Sequence, residues 1–323
     1  MTQKLRIGYF GLPLGALAVL RDGHDIVFIA LSPARRPGAR RLRRLLGVEK
    51  VFDALGLGPR LDSAIDEVLS LIEVDVLVSW FWSRRLPERW LMRPKLEALG
   101  AHPSLLPRHR GPDPYFWAID QGDPVTGVTV HRLDPEYDTG AVLLRRSVDI
   151  GELNAGELAK ELDRVGIALL REALGHLENG EALHASPQNE VSASWAPEPQ
   201  GEALRVDWKW PTERVLRRIR ALSPHPGLAV EIRGLKLFVV GARRASLRQG
   251  LLGAAEAVVL AEGTPPTLRL CIGTADGAIQ IERGVMGLGC AIEPGTLLGA
   301  AALGALAAQQ GVGVLAGLSV EFR

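Results

Sequence analysis

The sequence predicts an α/β protein: a doubly wound, Rossmann-like N-terminal domain followed by a smaller C-terminal domain of β-barrel type. Three observations carry this. The chain opens strand, helix, strand, and the second strand, Asp25-Ile-Val-Phe-Ile-Ala-Leu31, is a nearly continuous apolar run, as in a parallel strand covered on both faces. From Ser186 to Gln200 the composition turns polar and proline-rich, which is a linker composition. Beyond it lie short alternating stretches separated by turn residues. The bounds that follow are 1–185 for the first domain, 186–204 for the linker and 205–323 for the second.

Leu5 to Gly11 reads as the first strand and Pro13 to Arg21 as the helix after its glycine turn. Gly8, Gly11 and Gly15 lack the spacing of a dinucleotide fingerprint, and no acidic residue ends the second strand, which argues against a nicotinamide cofactor. Leu61, Ile65, Val68, Leu69 and Ile72 fall on one face of an amphipathic helix. Val74 to Ser79 is the next strand, and Trp80 and Trp82 after it read as core. Tyr115 to Gln121 is helical. Gly127 to Leu133 alternates as a strand, with His131 on the face opposite Val128 and Val130, an ordinary strand residue with a local partner or a second functional histidine. Ala141 to Ile150 is a further strand, and a long helix through Leu158, Leu162, Val165 and Leu169 ends at Glu178-Asn-Gly180. In the second domain a helix runs through Arg220, and strands are predicted over 229–232, 235–240, 257–260, 268–272 and 278–281.

The totals exclude several classes. A net charge of +1 advertises neither nucleic acid nor membrane globally, so any such contact must come from a local patch. Two cysteines, Cys271 and Cys290, are too few for a disulfide framework and lack metal-ligand spacing with histidines, so a reducing cytoplasm and no metal are expected, with both thiols buried. No secretory signal is expected from the first residues, and the apolar tail 297–318 is too interrupted by Gln309, Gln310 and glycines to span a membrane. One local patch exists. Arg35, Arg36, Arg40, Arg41, Arg43 and Arg44 stand together without an acid, either a phosphate grip or a solvated helix face.

The candidate site is the stretch Gly100-Ala-His-Pro-Ser-Leu-Leu-Pro-Arg-His-Arg-Gly-Pro-Asp-Pro114 with Asp138-Thr-Gly140 downstream. His102 is of the side-chain type that can accept or donate a proton, and Asp138 can hold its tautomer and steady its charged form. Pro103, Pro107, Pro112 and Pro114 stiffen the loop, which suits a preorganised site. Packing offers another account, a buried histidine satisfied in a rigid connection.

His102-Pro-Ser-Leu-Leu-Pro-Arg-His-Arg-Gly111, Ala118-Ile-Asp-Gln-Gly-Asp123, Thr126-Gly-Val-Thr-Val-His131 and Asp138-Thr-Gly140, in this order, resemble the signature of the folate-dependent formyltransferases. The resemblance implies formyl transfer from 10-formyltetrahydrofolate to a primary amine, the acceptor being a methionyl-tRNA or a specialised small amine. It also implies that the second domain is an open, OB-like barrel. The family's catalytic trio is an Asn, a His two residues later and the Asp of Asp-Thr-Gly; here His102 and Asp138 match, and Gly100 stands in place of the Asn. Donor contacts are implied at Arg84, Arg85, Leu86, Ser104, Leu105, Leu106, Pro107, Arg110, Gly111, Thr139 and Gly140, and acceptor contacts, a tRNA included, at the arginines from Arg35 to Arg44. A lost amide donor at position 100 costs about 10²–10³ in rate unless it is replaced. The residues alone therefore leave two alternatives open: a folate-binding protein without turnover, and a hydrolase of the formyl donor.

Overall fold

The first sheet grows from β1 (Arg6–Gly11), followed by α1 (Pro13–Arg21) and β2 (Asp25–Leu31). The computed structural model describes residues 4–32, 38–57, 60–82, 84–247, 251–262, 266–287 and 295–316. After α2 (Ala39–Leu46) come β3 (Val51–Asp53), α3 (Ala54–Leu57), α4 (Leu61–Leu71), β4 (Val76–Trp80), α5 (Glu88–Leu91) and β5 (Glu97–His102). Then follow α6 (Pro114–Gln121), β6 (Val125–Arg132), β7 (Val142–Asp149) and α7 (Ala155–Glu178). Among the described residues the seven strands lie in the order β3-β2-β1-β4-β5-β6-β7. The first five run parallel, and β6 and β7 are added antiparallel. The strand order reverses direction between β1 and β4, the kind of switch point at which open α/β sheets form their crevices.

The elements form where their residues demand burial. The stripe on α4 buries Leu61, Ile65 and Leu69 against Phe10, Phe28, Leu77 and Trp90. Phe10 stacks on Trp90 at 5.6 Å and meets the edge of Phe28 at 5.5 Å. Each such side chain contributes about 1.5–3 kcal/mol on burial. Trp80 is fully buried beside Gly15 and Gly166, and Trp82 packs against the cluster of Phe10, Phe28 and Trp90, as their reading as core residues required. On α7, Gly166 lets the helix close on Trp80: a Cβ there would lie 2.9 Å from its Cη2.

By their contacts the residues fall into two units, Met1–Pro114 with Val125–Asp149 and Ala159–Pro197, and Tyr115–Pro124 with Ile150–Leu158 and Glu198–Arg323. Residues 186–197 of the expected linker lie within the first unit. The second unit holds α8 (Thr212–Ala221), β8 (Leu228–Ile232), β9 (Leu235–Arg244), β10 (Ala257–Glu262), β11 (Thr267–Gly273), β12 (Ala278–Met286), β13 (Leu297–Gly299), α9 (Ala300–Gln309) and β14 (Val314–Ala316). Its sheet runs β14-β10-β11-β12-β9-β8, with β13 on β12; every pairing is antiparallel except β10 with β14. Residues 297–316 of the apolar tail thus form elements of this unit, with Leu303, Ala307 and Val312 buried; 317 and 318 lie outside the described residues. Cys271 is fully buried; Cys290, Arg35 and Arg36 lie outside the described residues. No helix among the described residues is long and apolar enough to cross a membrane.

Candidate active site

Gly100 and His102 lie in the C-terminal half of β5, so the histidine sits on a strand end rather than in the loop that its prolines suggested. The apolar run Ala98 to Ala101 pairs with β4 on one side and β6 on the other, and carries the histidine with it. His102 is buried. Its Nε2 donates to the His109 carbonyl at 2.7 Å, since a carbonyl can only accept, and its Nδ1 stands 3.5 Å from Asp138 Oδ2. Asp138 comes from the connection between β6 and β7, at φ +58°, a left-handed conformation that Asp tolerates better than most residues. Its Oδ2 also accepts the Gly111 N–H at 2.9 Å. The trio positions 100, 102 and 138 are therefore brought together, across 38 positions of chain.

The loop after β5 is over-determined. Ser104 Oγ donates to the Arg108 carbonyl at 2.6 Å, and Thr129 Oγ1 donates to the Ser104 carbonyl at 2.7 Å while accepting the Leu106 N–H at 3.1 Å. His109 sits at φ +60°, a conformation costing about 1–3 kcal/mol. Its N–H donates to Ser194 Oγ at 2.8 Å and its carbonyl is the one His102 uses, so the strained residue is held from both sides.

Arg110, expected as a donor contact, clamps the loop to the segment that carries Gln188 and Glu190. Its guanidinium donates to Gln188 Oε1 at 2.8 and 3.1 Å and to Glu190 at 2.7 and 2.9 Å. The Glu190 carboxylate raises the guanidinium's pKa, and Arg110 lowers that of Glu190 in return. Gln188 Nε2 then donates to the carbonyls of Asp138 and Gly140 at 2.8 and 2.7 Å. One amide thus ties the two site loops together. Gln188 and Glu190 escaped the sequence reading because proline-rich, polar composition marks irregular backbone, not absence of packing.

In sequence His131 is open to two readings, an ordinary strand residue with a local partner or a second functional histidine. It is buried, it pairs directly with Gly100 across β5 and β6, and its Nε2 lies 3.8 Å from Asp138 Oδ1. Burial pulls its pKa below the ordinary histidine range, with Asp138 opposing. The available signal was the pairing of a strand glycine with a large polar neighbour, and that becomes visible only once the register is known.

The remaining expected residues divide. Thr139 Oγ1 donates to Asp134 at 2.7 and 2.8 Å, and a Cβ at Gly140 would meet the Arg132 carbonyl at 1.9 Å. Gly140→Ala is accordingly expected to cost about 1–3 kcal/mol of stability in a melting experiment and to lower turnover with it, because it displaces the Asp138 loop. Leu105, Leu106 and Pro107 line a groove of about 790 Å³ with Val142, Leu144 and Ser186. Leu86 is buried; Arg84 is exposed and pairs with Asp62 at 3.0 Å, and Arg85 pairs with Glu136 at 3.2 Å beside Tyr137. Arg40, Arg41 and Arg44 are exposed on α2, whereas Arg43 pairs with Asp53 at 3.3 Å.

Comparison with known proteins identifies the family of the chain. The Formyl transferase family matches residues 16–174, and the family of its C-terminal domain matches residues 200–286. A methionyl-tRNA formyltransferase of Nitrosospira multiformis is 33% identical over 246 residues, covering 73% of this chain and 78% of that protein. One from Roseobacter denitrificans is 32% identical over 318 residues, covering 91% and 98%. Among solved structures, HypX from Aquifex aeolicus in complex with tetrahydrofolic acid superposes with a TM-score of 0.67 at 22% identity over 99% of this chain; the chain spans 50% of HypX. WlaRD, a sugar 3N-formyl transferase, gives 0.64 at 15% identity over 86% of this chain and 97% of its own. With a catalytic-domain match, a C-terminal-domain match and relatives of this identity over most of their length, the chain belongs to the formyl transferase family and is methionyl-tRNA formyltransferase-like.

Proposed function

We infer that this protein transfers the formyl group of 10-formyltetrahydrofolate to a primary amine. The observation that carries the reading is the Asp138 carboxylate, fixed by the Gly111 N–H at 2.9 Å and set 3.5 Å from the His102 ring at the end of β5. Attack of an amine on the formyl carbon builds negative charge on the formyl oxygen, releases a proton from the amine and requires one at the leaving nitrogen of the folate. An imidazole beside a held carboxylate supplies that proton traffic near neutral pH. The catalytic roles are His102 in proton movement and Asp138 in steadying the charged imidazole, with backbone donors near Gly100 to Ser104 for the oxyanion.

The donor groove is assigned to the segment around Leu86 and to Leu105, Leu106 and Pro107, with Ser104, Gly111, Thr139 and Gly140 shaping it. For the acceptor, the relatives named methionyl-tRNA formyltransferase favour a methionyl-tRNA, and the exposed Arg40, Arg41 and Arg44 are the phosphate contacts such an acceptor would use. The reading places the protein in the cytoplasm, where that substrate is found. It assigns no metal to the reaction.

The deciding assay follows tetrahydrofolate release from 10-formyltetrahydrofolate with no acceptor, with charged initiator tRNA and with a panel of small amines. Release that depends on charged tRNA is the expected result. Release dependent on one small amine moves the acceptor to that amine; release without any acceptor makes the protein a hydrolase, and binding without release makes it a folate-binding protein.

A further inference from the structure

Gly100 and His131 face each other across the β5–β6 register. A Cβ built on Gly100 would lie 2.5 Å from His131 Nε2 and 2.8 Å from its Cε1, closer than real Cβ atoms approach. The ring from β6 therefore fills the volume into which any side chain on residue 100 would project. Glycine here answers a close approach, not a turn, and the two residues form a single exchange: the β5 side chain is deleted and a β6 imidazole stands in its place.

The tautomer of that imidazole follows from its contacts. His131 Nδ1 lies 3.0 Å from the Arg132 carbonyl, which can only accept, so Nδ1 carries the hydrogen and Nε2 of the neutral ring is a bare lone pair. Nε2 is directed toward the Gly100 backbone and stands 3.8 Å from Asp138 Oδ1, beyond hydrogen-bond range. His102 differs in this respect, because both of its nitrogens face acceptors, the His109 carbonyl and the Asp138 carboxylate. Burial disfavours the charged form of His131, and so does His102; Asp138, Asp134 and the Arg132 carbonyl favour it. Burial outweighs the rest, so the ring rests neutral with the Nε2 lone pair able to accept a proton.

Resting on the formyl-transfer reading above, we propose that His131 takes up the amine proton in this site, working beside His102, through the Nε2 that the absence of a side chain on Gly100 leaves room for. The bond between amine nitrogen and formyl carbon forms, and the carbonyl electron pair moves to the formyl oxygen. The amine proton passes to Nε2. The imidazolium so formed is balanced by Asp138, and as the oxyanion collapses and the bond from formyl carbon to folate nitrogen breaks, the same proton goes to that nitrogen. The products are the formamide and tetrahydrofolate, with His131 returned to neutrality. A carboxamide at position 100 could only hold the oxyanion; an imidazole in its place can also take up and give back the proton. Gly100 is then not a degraded site but half of a rebuilt one.

The test uses the full chain, with 10-formyltetrahydrofolate and whichever acceptor the assay above selects. His131→Gln keeps the size and polarity of the residue and removes its basicity. It is expected to lower kcat by about 10²–10⁴-fold, the usual contribution of a positioned base, while KM for the donor stays within about threefold. The acid limb of the kcat/KM profile, set by His131 in the field of Asp138, Asp134 and His102, is expected to disappear. Gly100→Asn is expected to lose activity because its side chain and the ring compete for one volume, and the double variant Gly100→Asn/His131→Ala is expected to recover at least about tenfold over Gly100→Asn. A His131→Gln enzyme with kcat within threefold of the parent, or with its acid limb intact, overturns the assignment and leaves the formyl-transfer reading standing. A parent enzyme inert toward every acceptor overturns both.

Discussion

Asp138→Asn is expected to lower turnover by about 10³–10⁴-fold with little change in donor KM, on the scale of other carboxylates that orient and balance a catalytic imidazole. The backbone should barely respond, because Asn tolerates the φ of +58° as Asp does. An amide oxygen can also keep the Gly111 N–H bond that Oδ2 now accepts at 2.9 Å. What disappears is the charge. Asp138 lies 3.5 Å from one imidazole and 3.8 Å from another, and at such distances a unit charge is worth about 4 kcal/mol in the effective dielectric of a partly buried site, or roughly three decades in rate. The sign of the pH effect follows as well. Asp138 raises the pKa of His131 against the burial that lowers it, so its neutralisation moves any acid limb owed to His131 to lower pH. Steady-state kinetics across pH read both effects. Activity within tenfold of the parent would reduce Asp138 to a tether for Gly111.

Much of this architecture is legible in the sequence because its strands are apolar and its helices striped. α1 and β2 begin and end where the residues predict, since Pro13 pre-sets the first helical turn and the run Asp25 to Leu31 admits no polar face. The ordered blocks from His102 to Gly140 name the family before any coordinates are known. Sequence logic fails where an observation needs register. On β6 six successive residues are buried, so alternation gives two faces without saying which of them meets the site, and His131 passes for an ordinary strand residue. The vacancy at Gly100 and the ring at His131 are one feature, but they lie 31 positions apart and are joined only by strand pairing. β3, β13 and β14 have three residues each, too few to show a period. Gln188 was hidden for another reason: hydrogen bonding by a single amide leaves no pattern in composition.

Asp120, within the family block Ala118 to Asp123, belongs to stability rather than chemistry, and Asp120→Ala is expected to cost about 3–5 kcal/mol. Asp120 is 1% exposed, and its carboxylate accepts from Arg218 at 2.6 and 3.0 Å and from Arg214 at 3.0 Å. Arg218, 5% exposed, packs against the rings of Phe116 and Trp210 and spends its remaining nitrogen on the carbonyls of Glu202, Ala203 and Arg205. Removing the acid leaves this guanidinium buried, still held by three carbonyls and two rings, with no counter-charge of its own. The cost is the desolvated charge and not the lost contacts, so burial decides the magnitude. Arg89 with Asp66 supplies the control. That pair is also bidentate, at 2.8 Å twice, but its side chains are 55% and 41% exposed, and its loss is expected to cost no more than about 1 kcal/mol. Calorimetry separates the two: about 6–20 °C off the transition of the second unit for Asp120→Ala, against a few degrees at most off that of the first unit for Arg89→Ala, which breaks the pair and leaves Asp66 its bond from Trp90 Nε1. Equal, small shifts in both would mean that water reaches Arg218 once Asp120 is gone, so that its charge is rehydrated instead of stranded.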